Sequence, residues 1–290
     1  MKIDYEKRIR ERYPALSIHQ IEMNEIGQNN DVIIVNDTFV FRFPKYVEGI
    51  RKLEKETKVL DHIKGKVSLP IPYPEYRSFG SCEVGEVFTG YPLIQGQPLW
   101  SHDMKDIEDE SHVERLASEL VQFLSELHAQ PVDELEIEKQ SAQDIRQSIV
   151  ELYANFKEKL YPYMNESSKS EVSQNFEAFL SNDDLLDFKT VLIHGDFGAS
   201  NILWDSSRVS ISGVIDFGET EVGDPAYDFA GLAASYGEAF VKRCLRLYPE
   251  GQNILERINF YKSTFALQEA LHGIENDDQG AFESGIRGYR

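Results

Sequence analysis

The chain has only two cysteines, Cys82 and Cys244, and neither sits in the spacing of a metal-ligand set. That leaves no disulfide framework and no cysteine-based zinc site, and assigns both thiols to packing. No stretch approaches the roughly 20 apolar residues of a membrane helix. The opening residues, Met1-Lys2-Ile3-Asp4-Tyr5-Glu6-Lys7-Arg8, carry no apolar run of the secretory kind, so a cytoplasmic protein without a membrane partner is expected. Positive charge is scarce as well: 30 Lys and Arg stand against 50 Asp and Glu, a formal net charge of -20 at pH 7. Such a balance disfavours nucleic acid and anionic membrane surfaces and attracts small polycations, although acidity alone also serves solubility. Internal repeats and low-complexity linkers are missing too. What remains, 290 residues of which 41% are hydrophobic, is ample for two lobes with their own cores, and a monomer is expected.

The chemistry is concentrated in His194-Gly195-Asp196-Phe197-Gly198-Ala199-Ser200-Asn201 and in Ile215-Asp216-Phe217-Gly218. An aspartate five residues ahead of an asparagine brings both side chains into one small volume when the loop between them folds back. Asp196 would meet a hydroxyl, while Asn201 and Asp216 supply an amide oxygen and a carboxylate, the hard ligands Mg2+ takes beside nucleotide phosphates. Val191-Leu192-Ile193, Ile202-Leu203-Trp204 and Val214-Ile215 read as short buried strands, which puts the polar residues at strand ends. Any one Asp or Asn is accounted for by closing a turn. The ordered set, with a glycine beside each aspartate, matches the kinase pattern of catalytic Asp, Asn and Asp-Phe-Gly. His194 reads as a brace for the loop rather than a proton carrier.

H-G-D-F-x-x-x-N-I-L-W followed by I-D-F-G-E-T-E-V-G-D-P-A-Y-D-F resembles the antibiotic phosphotransferases, specifically the aminoglycoside 2''-phosphotransferases. The resemblance implies an α+β, protein-kinase-like fold of two lobes: a small antiparallel-sheet lobe over residues 1–95 and a mainly helical catalytic lobe over 96–290, joined by a hinge at 91–96. It also implies transfer of the γ-phosphoryl group of GTP or ATP, with Mg2+, to a hydroxyl of a polycationic aminoglycoside. Protein kinases have Arg where Gly195 stands, and the Gly223-Asp224-Pro225-x-x-Asp228 tail further favours small-molecule kinases. Asp224, just before Pro225 and a helical pattern, reads as an N-cap, and Asp228 as structural too. Kinases of choline, macrolides or thiosugars use the same core and stay open as alternatives. A non-catalytic nucleotide binder is the remaining one, although no metal ligand is missing.

Upstream, Ile21 to Ile26, Asp31 to Val35 and Phe39 to Phe43 read as a three-strand meander turning at Gly27-Gln28-Asn29-Asn30 and Asn36-Asp37. The Gly27 loop resembles a nucleotide-positioning loop with fewer glycines than kinases use, and a plain hairpin turn accounts for it equally. Alternation puts Arg42 opposite Phe41 and Phe43, where the family has a phosphate-touching cation; Lys45, after Pro44, is the other candidate. The expected partner of Arg42 is Glu56, in a helix over Val47 to Ile63. Gly85 to Leu99 resembles the hinge, with the Pro92 carbonyl and the Ile94 N-H reading the purine. Tyr91 stands at the gatekeeper position, which the resemblance associates with GTP; core packing is the alternative.

Beyond the hinge, apolar spacing predicts helices over Val113–His128, Ile145–Leu160, Lys169–Leu180, Ala226–Tyr236, Glu238–Tyr248 and Asn253–His272, then a short acidic tail. The resemblance makes His128 structural and offers Glu238, Glu269 and Glu275 as substrate carboxylates. Helix-dipole and solvated-tail roles serve as well for Glu238 and Glu275.

Overall fold

The computed structural model describes residues 4–24, 29–249 and 254–290. The amino-terminal lobe contains α1 (Tyr5–Arg12), β1 (Ile21–Asn24), β2 (Asn30–Val35), β3 (Phe39–Pro44), α2 (Val47–Ile63), β4 (Tyr76–Ser78) and β5 (Phe88–Pro92). Its five strands form one antiparallel sheet in the order β1-β2-β3-β5-β4. The period of two separates two faces. Phe41 and Phe43 turn inward with Ile33, Val35 and Phe88, where Ile9 of α1 covers them. Arg42 lies between Val32 and Thr89 on the opposite face, and Tyr91 opposite Val40 shares that face. Helix α2 buries Ile50, Leu53, Thr57, Leu60 and Ile63 at helical spacing, and on the same side it buries Glu56, only 2% exposed.

The chain then crosses through β6 (Gln97–Pro98) into α3 (Ser101–Lys105), α4 (Glu110–His128), α5 (Ala142–Asn155) and α6 (Glu166–Ser181). Next come β7 (Val191–Ile193), β8 (Ile202–Asp205), β9 (Ser210–Val214) and β10 (Glu221–Gly223), followed by α7 (Ala226–Tyr236), α8 (Glu238–Leu247), α9 (Leu255–Glu275) and α10 (Gln279–Ile286). β7 pairs with β10 and β8 with β9, and the first motif leads into β8 where the second leaves β9, the Ile215 N-H donating to the Asn201 carbonyl at 2.9 Å. The large core beneath them joins α4, α7 and α9 through residues such as Phe123, Phe229 and Phe260, with Phe197 and Phe217 of the two loops. Among the described residues no helix is long and apolar enough to cross a membrane.

Several expectations shift. The third short strand is Ser210–Val214, because Asp205 and Ser210 pair across the turn, and Ile215 lies past its end. The α5 helix stops at Asn155 and widens into a π turn over Phe156–Leu160, which lets both of those residues face the core before Tyr161-Pro162-Tyr163. Pro162, with no N-H to give, cannot continue an α-helix. The largest correction is at the carboxy terminus, where the expected acidic tail is absent. α9 continues to Glu275, and Asp278 caps α10 by accepting the Ala281 N-H at 3.0 Å. Phe282 and Ile286, four apart, are buried against α9. The loop at Gly27 falls within 25–28, outside the described residues, whereas Asn29 and Asn30 are described.

The α9–α10 contact is close enough to test. A Cβ on Gly285 would sit 2.2 Å from the Ala266 carbonyl oxygen, whereas one on Gly288 would meet nothing within 4 Å. Gly285→Ala is expected to cost about 1–3 kcal/mol in urea unfolding, and Gly288→Ala under about 0.5 kcal/mol. Equal stabilities of the two variants would show that α10 does not pack there.

Candidate active site

The loop after β7 is held from beneath by a carboxylate. Asp228 on α7 is fully buried, and its two oxygens accept the His194 N-H at 2.9 Å and the Gly195 N-H at 3.0 Å. His128, at the end of α4, places Nε2 3.0 Å from the same carboxylate while its Nδ1 meets the Tyr248 hydroxyl at 2.9 Å. Gly195 has φ +82, and a Cβ there would lie 2.2 Å from the Glu219 carbonyl oxygen, so both conformation and space require glycine. The His194 ring braces the loop against the second motif. Its Nδ1 accepts the Asp196 N-H at 3.3 Å, which leaves the proton on Nε2 for the Ile215 carbonyl at 3.1 Å. Asp224 is likewise structural: it accepts from the Ala226 N-H at 2.9 Å, Arg257 Nε at 2.8 Å and the Tyr261 hydroxyl at 3.1 Å.

On this frame Asp196, Asn201 and Asp216 face one cleft of about 700 Å³, together with Arg42, Glu56 and Tyr91. Asn201 Nδ2 donates to Asp196 Oδ2 at 2.7 Å and to the Asp196 carbonyl at 2.9 Å. The amide is thereby oriented, and its Oδ1 is left as an acceptor. Asp216 adopts φ 65, and its side chain is 53% exposed to the cleft. Its Oδ1 lies 3.4 Å from one Arg42 nitrogen, while the other Arg42 nitrogen is 2.5 Å from Glu56 Oε1. The same Glu56 oxygen accepts the Phe217 N-H at 3.3 Å. One buried carboxylate thus ties α2, β3 and the Asp216 loop together.

The electrostatics follow from this packing. Burial opposes the Arg42 charge, but Glu56, and after it Asp216, outweigh it and hold the guanidinium protonated. Burial pushes the Tyr91 phenol up to about 12, with Arg42 pulling the other way, so it presents a neutral hydroxyl. Burial also raises Asp196; His194 and Asn201 oppose the shift, and Asp216 and Glu219 add to it. Among the described residues no group of three His, Cys, Asp or Glu side chains forms a metal cluster. The donors present, Asn201 Oδ1 and the Asp216 carboxylate, instead suit Mg2+, which keeps waters and phosphate oxygens in most of its positions.

The other expected residues divide. Pro92 and Ile94 border a groove of about 880 Å³, with Tyr73 and Trp204, while Tyr91 before them faces the cleft. Lys45 sits outside the cleft, 3.8 Å from Asp31. Glu238 is exposed, and Lys242, 2.5 Å away, lowers its pKa. Glu269 is exposed on α9, and Glu275 is 2.6 Å from Lys159 rather than in a tail. None of these three lines the cleft or the smaller cavity that Asp196 shares with Tyr227, Phe265 and Gln268. The structure adds two groups that went unread. Lys52, one helical turn before Glu56, reaches Glu219 at 2.8 Å across the cleft, and the i, i+4 spacing from Glu56 was the available signal. Glu221, alternating with buried Val222 on β10, lines a further cavity beside the loop.

Comparison with known proteins follows the same lines. A viomycin phosphotransferase of Streptomyces vinaceus is 36% identical over 134 residues, 45% of this chain and 46% of that protein. The chain therefore spans about half the length of that relative. The uncharacterized protein YcbJ of Bacillus subtilis (strain 168) is 24% identical over 255 residues, 82% of this chain and 78% of that protein. Among solved structures, the GDP and kanamycin complex of APH(2")-IIia superposes with a TM-score of 0.89 at 28% identity, covering 99% of this chain and 97% of that one. A macrolide 2'-phosphotransferase type I shares the fold at 20% identity and a TM-score of 0.77, covering 100% of this chain and 98% of that one. The phosphotransferase enzyme family matches residues 20–261. With a five-stranded lobe set over a helical one and the paired aspartate motifs between them, the chain belongs to that family and has its kinase-like, two-lobed α+β fold.

Proposed function

We propose that the protein transfers the γ-phosphoryl group of a nucleoside triphosphate, GTP in preference to ATP, to a hydroxyl of an aminoglycoside, the 2''-hydroxyl by analogy, and so confers antibiotic resistance. The carrying observation is the double hydrogen bond from Asn201 to Asp196, which orients the base and leaves the amide oxygen as an acceptor in the cleft that Asp216 also lines. Asp196 orients the acceptor hydroxyl and takes its proton. Asn201 Oδ1 and Asp216 would hold Mg2+, which when bound supplies charge neutralisation at the phosphate oxygens. Arg42, fixed by Glu56, steadies the phosphates with its second nitrogen, and Tyr91, Pro92 and Ile94 seat the purine, the last two through main-chain groups. The rate enhancement comes from positioning and preorganised charge, since in-line phosphoryl transfer asks little covalent chemistry of the protein.

The lobe boundary falls at about residue 95, with 91–96 as the hinge, in a cytoplasmic monomer. An aminoglycoside acceptor is favoured by the net charge of -20, which attracts a polyamine, and by the likeness to the kanamycin complex.

Asp196→Ala is expected to lower kcat at least about a hundredfold while the nucleotide Kd, measured by calorimetry, stays within about threefold. Near-normal turnover would remove Asp196 from the chemistry. In a panel of kanamycin, gentamicin, a macrolide and choline with labelled GTP and ATP, phosphate should appear on the aminoglycosides, faster from GTP. Tyr91→Ala should then raise kcat/KM for ATP relative to GTP by about tenfold, as widening a close-fitting pocket does. An unchanged ratio would make Tyr91 a packing residue only.

A further inference from the structure

We propose that Glu221 is the carboxylate that receives an ammonium or guanidinium group of the phosphoryl acceptor, in a cavity opening beside Asp196. The proposal rests on the function above and names a substrate contact within it. A cavity of about 290 Å³ lies between α5, β10, α7 and α9, with Glu221, Gln140 and Gln268 as polar groups and Ile145, Ile149 and Leu152 on one wall. A second cavity of about 280 Å³ contains Asp196, Gly195 and Phe197. Tyr227 and Gln268, hydrogen-bonded to each other, line both, so Asp196 and Glu221 stand on either side of that pair, and an acceptor bound over it has its reacting hydroxyl at one and an amino group at the other.

The position of Glu221 is set by the strand. Across β10, Val222 enters the core while Glu221 and Gly223 face the cavity, and Glu221 pairs with Ile193, the residue before the catalytic loop. The carboxylate is poorly satisfied for a partly buried charge. The hydrogen bond it accepts from Gln140 Nε2 is long at 3.3 Å, and among the described residues no Lys or Arg forms an ion pair with it. Burial raises its pKa; Lys55 opposes this, and Glu219 and Asp228 add to it. A cation delivered by a ligand supplies the missing partner, and in a sheltered site a charge-assisted hydrogen bond outweighs one on open surface. Glu238 and Glu275, by contrast, are exposed and already paired with Lys242 and Lys159. The apolar wall formed by α5 suits the carbon face of a ring, so the chemical class is a ring that bears both hydroxyl and amino groups.

Glu221→Gln keeps the volume and removes the charge. With kanamycin as acceptor, it should raise the acceptor KM about 10–100-fold while kcat and the nucleotide KM stay within about twofold. Glu221→Asp should fall between. At least one kanamycin analogue with an amine replaced by hydroxyl should show no sensitivity to Glu221→Gln, which a merely structural carboxylate would not produce. Ser148→Trp, on the exposed rim of α5, should raise the same KM by obstruction without touching the core. Unmoved acceptor KM in both variants, or an equal rise for kanamycin and every deaminated analogue, overturns the assignment while the phosphotransferase reading stands. A wild-type enzyme that neither phosphorylates aminoglycosides nor binds them in calorimetry overturns that reading and this contact with it.

Discussion

A single fully buried carboxylate, Asp228, is the constraint on which the catalytic loop depends. It accepts two consecutive backbone N-H groups, those of His194 and Gly195, and faces the imidazole of His128. The His194 N-H is buried, so it would be left unsatisfied at a cost of about 1–3 kcal/mol if the carboxylate were lost. With the backbone pinned at 194 and 195, Gly195 turns the chain through a conformation other residues resist, and Asp196 emerges at the cleft. The His194 ring then carries the constraint to Ile215 and so to the Asp-Phe-Gly turn. A group outside the cleft therefore decides where Asp196 and the Asp-Phe-Gly turn stand.

Glu56 plays the matching part on the opposite wall. It comes from the helix of the small lobe, yet one of its oxygens serves both Arg42 and the Phe217 N-H. The geometry of Arg42 toward Asp216 is thus coupled to the geometry of the Asp-Phe-Gly turn, and neither can shift without the other. The cleft balances cations on the sheet and α2 against carboxylates on the helical lobe, so a triphosphate with its divalent ion would meet both signs on opposite walls.

Much of this was legible because it is local. The period of two in Phe39 to Phe43 set Arg42 apart from the phenylalanines, and the bounds of α2 and α7 matched their apolar spacing residue for residue. Asp224 and Asp228 read as structural groups and prove to be so. What stayed hidden depends on contacts between distant segments. α10 is short, with Phe282 and Ile286 alone among its large apolar residues buried and Gly285 letting it approach α9, so its acidic preface looked like a tail. Glu221 owes its interest to walls supplied by α5, well before it in the chain, and by α9, well after it, and one strand's alternation carries no hint of them. Glu238, Glu269 and Glu275 drew attention as charges on the right helices, but a helix shows its sequence on every side, and these three face away from the two cavities at Asp196.

The Lys52–Glu219 contact spans the mouth of the cleft with both side chains largely in solvent, 41% and 55% exposed. A clasp of that kind holds with about 0–1 kcal/mol, close to thermal energy. The rigid parts of the site therefore lie deep, in Asp228 and Glu56, while the entrance is fastened by something that ordinary agitation and dissolved salt can undo, and a bulky triphosphate has no stiff gate to force.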